Sequence, residues 1–405
     1  MPTITATKES ARQESSQGTL GGWLLVIISA LLCFGALMVF SAGASLDQHL
    51  DLKQFWKFST LRRIAFVPVA WLVLTLVSQF SYRRWLFFRK HFWFSPVVIL
   101  TAFSLVLLVL VLIEGIGTPR NKSWRWFEFR LGPAELTFQP SELAKWALAM
   151  FLAGYAALRQ DSIRKFWRGL MPALAIMLAI VGLIGKEDFG TAALVGMVGA
   201  MVLLIGGARW WHLGILVPIA ALAFYLLVYC NEYRWKRVQA YWDKGQSVEH
   251  KETAYQAQQS LIAIGSGGLW GKGLGRGKMK LGRVPEDTTD FVFAIIAEEL
   301  GFVGCAIVII LFTSFLICSM MIVYQAPDKL GSLLGVAIAG TVGAQALMNL
   351  AVVTGLAPTK GIALPFISAG GTGLVLTAMA AGVLVNVAKQ GRAKSDVAQA
   401  PSSKR

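Results

Sequence analysis

The stretch that decides the fold is WLLVIISALLCFGALMVFSA, Trp23 to Ala42, twenty residues without a charge. A helix needs roughly 20 predominantly apolar residues to cross the hydrocarbon core of a bilayer. Nine further blocks of similar character follow, near 64–79, 93–113, 139–157, 171–185, 190–207, 211–230, 291–323, 333–354 and 368–388. In lipid every backbone polar group must find its partner inside the protein, so spanning segments are helices or closed barrels. A barrel would show short alternating segments, and the blocks do not. The expected fold is all-α: a polytopic membrane helix bundle of about ten transmembrane helices. One large external loop, 231–289, separates helices 7 and 8.

Composition agrees. Hydrophobic residues fill 56% of the 405 positions and charged residues only 15%, where a soluble domain carries about a quarter. Residues 1–20 read as a disordered cytoplasmic tail, 21–388 as the membrane domain and 389–405 as a second cytoplasmic tail. The first apolar run is too long for a signal peptide and no small-residue cleavage site follows it, so it stays as an anchor. Cys33, Cys230, Cys305 and Cys318 sit in or beside apolar blocks without a C-x-x-C pattern, and read as small hydrophobes. The four histidines are scattered with no H-E-x-x-H, and no metal ligands are assigned.

Charge sets an orientation. With the N-terminus inside, one face holds 17 Lys and Arg and the short loops of the other hold 10, so the positive-inside rule puts both termini in the cytoplasm. The outer face is still basic, and the chain carries a formal net charge of +16. Such a face attracts anionic lipid head groups or an anionic ligand. Nucleic acid does not fit, because these charges flank membrane helices and form no soluble groove.

Polar residues gather in four places near that face. Trp124 to Lys145 ends in Gln139-Pro140-Ser141-Glu142-Leu143-Ala144-Lys145. Proline suits a first helical turn, and Glu142 is favoured there by the helix dipole. Lys145, three residues on, shares its face. The two are either a local ion pair with a snorkelling lysine or charges lining a cleft. Lys186-Glu187-Asp188 lies in a tight turn, where a solvated hairpin is the plain reading. In the third, loop 231–289, Arg234-Trp235-Lys236-Arg237 precedes an expected amphipathic helix, Val248 to Ile264, that carries Tyr255 and Gln256. The strip Gly265 to Lys278 then matches no nucleotide fingerprint. It is a flexible surface loop or a source of N–H groups for a phosphate. In the fourth, Asp290 stands where loop meets apolar helix. It is an N-cap or a partly desolvated carboxylate with raised basicity. Glu298 and Glu299 follow on the same helix.

Taken in order, these segments resemble the SEDS (shape, elongation, division and sporulation) family of bacterial membrane proteins over roughly residues 20–390. The resemblance rests on Gln139 to Lys145, Asp188-Phe189-Gly190-Thr191, Tyr255 to Gly275, Pro285-Glu286 with Thr289-Asp290-Phe291, Glu298-Glu299-Leu300-Gly301 and Leu364 to Gly371. Thr359-Lys360-Gly361 and Gln258 to Ala263 look more like its cell-division branch than its elongation branch. The chain departs from the family at Glu187, Thr288, Ala369, Thr372 and Gly373. What the resemblance implies is a peptidoglycan glycosyltransferase that polymerises lipid II outside the cytoplasmic membrane, at the division septum. Its implied partners are a class B penicillin-binding protein and other division-complex proteins. Asp290 matches the family's essential acidic position, and Glu142 and Lys145 its paired charges. Asp188, Arg237, Gln256, Lys360 and Ser368 complete the expected substrate-binding set, and a divalent cation, Mg or Mn, could assist the leaving pyrophosphate. The rival readings are a flippase for lipid-linked precursors, with Glu298, Glu299, Gln345 and Asn349 on its path, and a non-catalytic division scaffold.

Overall fold

The chain folds into helices wherever an apolar block occurs. The structure, a computed structural model, describes residues 3–43, 59–85, 92–120, 123–131, 134–242, 251–277, 290–368 and 371–399. In chain order the first elements are α1 (Thr3–Gly43), α2 (Ser59–Val77), the single turn α3 (Tyr82–Trp85) and α4 (Pro96–Leu110). Three strands follow: β1 (Thr118–Arg120), β2 (Ser123–Leu131) and β3 (Ala134–Phe138). Then come α5 (Pro140–Leu158), α6 (Met171–Glu187), α7 (Phe189–Ile205), α8 (Trp210–Leu213) and α9 (Leu216–Phe224). The chain closes with α10 (Glu232–Trp242), α11 (Lys251–Gly267), α12 (Val292–Tyr324), α13 (Lys329–Val353) and α14 (Thr372–Gln399).

Among the described residues six helical stretches have the length and hydropathy to cross a membrane: Thr19–Ser41, Phe166–Glu187, Trp210–Tyr229, Val292–Tyr324, Lys329–Val353 and Thr372–Gly391. Ala65–Val77, Pro96–Leu110 and Phe189–Ile205 are shorter apolar helices. With α5 these account for all ten expected blocks. The first helix starts well before its apolar part, within the stretch expected to be a disordered tail, and α14 likewise runs on past Lys389. A formed membrane helix is a ready nucleus, so polar neighbours can extend it without a new nucleation step.

The centre of the bundle is α5. From Pro140 to Ala156 every residue except Glu142 is buried, and α4, α7, α13 and α14 pack around it. Alanines at 144, 147, 149, 153 and 156 let those neighbours approach closely. Pro140 opens the helix at a position where its missing N–H is not needed.

The chain just before α5, between the apolar blocks 93–113 and 139–157, forms a small antiparallel sheet, β1-β2-β3. Phe127 pairs with Phe138 and Phe129 with Leu136. The alternation Phe127-Glu128-Phe129-Arg130-Leu131 and the Gly132-Pro133 break supply the reason. In the large loop, the amphipathic helix is described over Lys251–Gly267, its expected start at Val248 lying outside the described residues, and a second helix, α10, precedes it. Residues 278–289, with Thr288, lie outside the described residues.

The α12 helix is interrupted near its start. Gly301 has φ +65° and ψ −158°, which breaks the helix. In an unbroken helix the N–H groups of Phe302 and Val303 would donate to the carbonyls of Glu298 and Glu299. Instead they donate to Gly268 and Leu269, at 2.9 and 3.2 Å. The freed carbonyls of Glu298 and Glu299 accept from the N–H groups of Lys272 and Gly273, at 3.0 and 2.9 Å. The glycine-rich strip is thus stitched into the helix, and its backbone donors at 272 and 273 are taken. That corrects the reading in which the strip offers these N–H groups to a phosphate. Close approach needs glycine on both sides: a Cβ at Gly301 would lie 2.4 Å from the Gly271 nitrogen, and one at Gly271 would lie 2.2 Å from the Glu299 carbonyl oxygen.

Candidate functional site

The connection between α13 and α14 is irregular from Pro358 to Leu364. Its backbone polar groups therefore need partners from other elements. The Tyr241 hydroxyl donates to the Leu356 carbonyl at 3.0 Å, and Arg237 donates to Thr359 at 3.4 Å. Asn349 Nδ2 donates to Ile362 at 2.6 Å, and Gln345 Nε2 donates to Ala363 at 2.8 Å. The Leu364 N–H donates to Ser368 Oγ at 2.7 Å. Several elements thus converge on a few residues, and most of the expected site residues meet there.

Asp290 sits just before α12. The N-cap of that helix is Phe291, so Asp290 stands one residue before the N-cap position. Its main-chain carbonyl accepts from Asn349 Nδ2 at 2.8 Å. Its carboxylate lies against Gly361: a Cβ built there would be 2.6 Å from Asp290 Oδ2.

The residue before Gly361 is Lys360. Its Nζ lies 3.4 Å from Asp188 Oδ1 and packs over the Phe189 ring. Asp188 does act as a cap: its carboxylate accepts from the N–H groups of Gly190 and Thr191 at the start of α7. Arg125 of β2 adds an ion pair to Asp188 at 3.3 Å and donates to the Glu187 carbonyl at 2.5 Å. Arg234 of α10 donates to the carbonyls of Gly185, Leu227 and Lys186. Burial alone would push the Asp188 carboxyl up, but Lys360, Arg125 and the Thr191 bonds outweigh it and hold the group below its usual range. For Lys360, burial dominates and brings the ammonium down to about 8, against the pull of Asp188. The turn expected to be a solvated hairpin is a buried electrostatic hub. Glu187, one of the family departures, has a local task here, accepting the Trp124 N–H at 2.8 Å.

Glu142 and Lys145 form the expected pair, at 2.8 Å. The lysine is almost wholly buried, and its Nζ also donates to Gln345 Oε1 at 2.8 Å. Lys145 is thereby held by two internal acceptors, as Lys360, Arg125 and Arg234 are held by theirs. Glu142 is only partly buried and abuts Gly373, where a Cβ would come within 3.1 Å of its Oε2. Ser368 is buried in the turn before α14 and makes a bond within that turn, which gives it a structural task. Gln256 is half-buried on α11, and no hydrogen bond among the described residues joins it to the others. Glu298 and Glu299 are buried and bound: Glu298 takes Lys272 Nζ at 2.7 Å, and Glu299 takes Ser41 Oγ at 2.5 Å and the Gly277 N–H at 3.3 Å.

Sequence reasoning gave Gln345 and Asn349 only to the rival flippase reading and gave Arg125 and Arg234 no role. A signal for the first two exists: two amides four residues apart share one face of an otherwise apolar helix. Among the described residues no group of three or more His, Cys, Asp or Glu side chains could hold a metal ion.

A sequence model of the family described as "Cell cycle protein", FtsW/RodA/SpoVE, matches residues 22–393. The chain belongs to that family. It is 38% identical to stage V sporulation protein E of Bacillus subtilis over 91% of this chain and 97% of that one. It is 35% identical to a protein of Geobacter metallireducens named probable peptidoglycan glycosyltransferase FtsW, over 90% and 93% of the two chains. Among solved structures, one described as "Structural coordination of polymerization and crosslinking by a peptidoglycan synthase complex" aligns with a TM-score of 0.68 at 27% identity, covering 91% of this chain and 97% of that one. The rod shape determining protein RodA of Thermus thermophilus aligns with a TM-score of 0.62 at 26% identity, over 91% and 96% of the chains. The helix-bundle architecture of this FtsW/RodA/SpoVE member is therefore that of its relatives.

Proposed function

We propose that this family member is a peptidoglycan glycosyltransferase that polymerises lipid II into β-1,4 glycan at the outer face of the bacterial cytoplasmic membrane during division. The observation that carries the reading is the setting of Asp290. Its carboxylate rests on Gly361, the residue that follows the lysine joining the cationic hub around Asp188. A carboxylate base and a cluster of cations that meet the same α13–α14 connection suit this reaction. The hydroxyl of one lipid-linked disaccharide attacks the anomeric carbon of another, and Asp290 takes the hydroxyl proton as the new C–O bond forms. The bond to the pyrophosphate breaks, and that group leaves with the electron pair. Attack from the opposite face inverts an α-linked donor to a β-linked product, as in inverting glycosidases, where one carboxylate of the pair is the base. Pyrophosphate needs little protonation on leaving but does need positive charge, for which Lys360, Arg125 and Arg234 are candidates.

The described residues do not form a metal site by themselves, so no step is derived through a divalent cation. The names of the relatives support the same chemistry, and the synthase-complex neighbour supports a partner penicillin-binding protein of class B, with other division proteins beyond it. Both termini lie in the cytoplasm and 231–289 outside, on the charge balance of the loops. The flippase reading loses its path, since Glu298, Glu299, Gln345 and Asn349 are each engaged by the fold. Purified protein in vesicles with labelled lipid II tests the proposal. Glycan polymer supports it, whereas vesicle-crossing without polymer favours a flippase, and neither product favours a scaffold.

A further inference from the structure

Four charged groups of this bundle have a common feature in their seats. A Cβ at Gly190 would lie 2.1 Å from Lys360 Nζ, one at Gly373 3.1 Å from Glu142 Oε2, and one at Gly277 3.0 Å from Glu299 Oε1. Gly361 does the same for Asp290, at 2.6 Å from Oδ2, and among the described residues its Cβ would meet only that carboxylate. Gly361 is exposed, and its φ is outside the left-handed region. Nothing in its backbone requires glycine. Among the described residues only the position of the carboxylate does.

A second contact fixes the same place from below. Asn349 is buried, and its Nδ2 donates at once to the Asp290 carbonyl and to the Ile362 carbonyl. One amide therefore ties the residue that carries the carboxylate to the residue after its seat. Asn349 Oδ1 is itself buried without a hydrogen-bond partner among the described residues, an arrangement that folded proteins rarely keep. An apolar side chain would avoid that orphan but would release both carbonyls.

We infer that Gly361 and Asn349 are positioning residues, which together hold the Asp290 carboxylate in its reactive place. The inference rests on the reading of Asp290 as the general base. Neither residue needs to touch substrate. A carboxylate moved by about an ångström is enough to lose much of the rate of a positioned base.

Steady-state polymerisation of labelled lipid II by the purified full chain tests this, with melting temperature recorded for each variant. Gly361→Ala is expected to lower kcat by about 10-fold or more, with KM and melting temperature near wild type and the acid limb of the kcat–pH profile displaced. Asn349→Leu should lower kcat in the same way. Gly182→Ala, whose Cβ meets nothing within 4 Å, is the control and should match wild type. Asp290→Asn is measured alongside. If it polymerises normally, the reading of Asp290 fails. If it is inactive while Gly361→Ala keeps wild-type kcat and pH profile, the positioning inference is overturned and the base stands. Should Asn349→Leu fail to fold, Gly361→Ala decides alone.

Discussion

At Lys360 two demands oppose each other. Burial disfavours its charge, while Asp188 at 3.4 Å favours it, and the outcome is a pKa of about 8 instead of the ordinary 10.5. Above that pH the folded chain has lost a proton that the unfolded chain keeps until about 10.5. Stability linked to this group therefore rises, not falls, between the two values. The charge available to a leaving pyrophosphate moves the opposite way. Polymerisation is expected to decline as pH rises through about 8, while the melting temperature shows no parallel loss. Lys360→Met should be slow and should lack that alkaline limb. An alkaline limb of the same size in Lys360→Met would assign it to another group. The charges at this site were readable in the sequence because an ionisable residue at a helix end stands out against an apolar background. Their tasks were not. Asp188 and Asp290 both precede a helix, yet Asp188 occupies the N-cap position and Asp290 the residue before one, and that choice depends on backbone geometry that no single residue encodes. Gln345 and Asn349 were harder still, because a neutral amide within an apolar helix reads equally as a pathway residue or a packing contact.

At the scale of elements, the break in α12 explains why two buried glutamates sit beside a glycine-rich strip. Unpaired backbone groups are costly in a bundle that excludes water, and the strip supplies partners for the ladder opened at Gly301. The Glu299 side chain then pins the strip through the Gly277 N–H and the first helix through Ser41. Replacing it by leucine orphans both donors, at about 1–3 kcal/mol for each buried group. Glu299→Leu is thus expected to melt earlier in detergent and to be cut faster by protease within 268–277. Unchanged cleavage there would mean that the strip is held by its backbone bonds alone. The individual glycines were legible, but the stitch was not, since it joins residues about thirty positions apart through main-chain atoms common to every sequence. The sheet before α5 is a different case. Its period of two at Phe127 to Leu131 was present in the sequence and was masked by the tryptophans and arginines at its start.

For the whole molecule, hydropathy gave the helices because a bilayer imposes one length and one composition on whatever crosses it. It gave neither their order around α5 nor the convergence on Pro358–Leu364, which arise from packing. Orientation follows from loop charge, and it has a direct check. In a cysteine-free background, Ser247→Cys should react with an impermeant reagent from outside intact cells and Ser395→Cys should not. The reverse pattern would invert the molecule and remove the site from the face where lipid II is proposed to be used. The central claim is that Asp290 is the base. The most direct measurement is lipid II polymerisation by purified, partner-bound Asp290→Asn, with membrane level and melting temperature controlled. The substitution keeps the shape and removes the proton acceptor, so the rate should fall by about 10²-fold or more in a protein that is otherwise folded. A well-folded Asp290→Asn protein that polymerises lipid II at the wild-type rate would contradict the account.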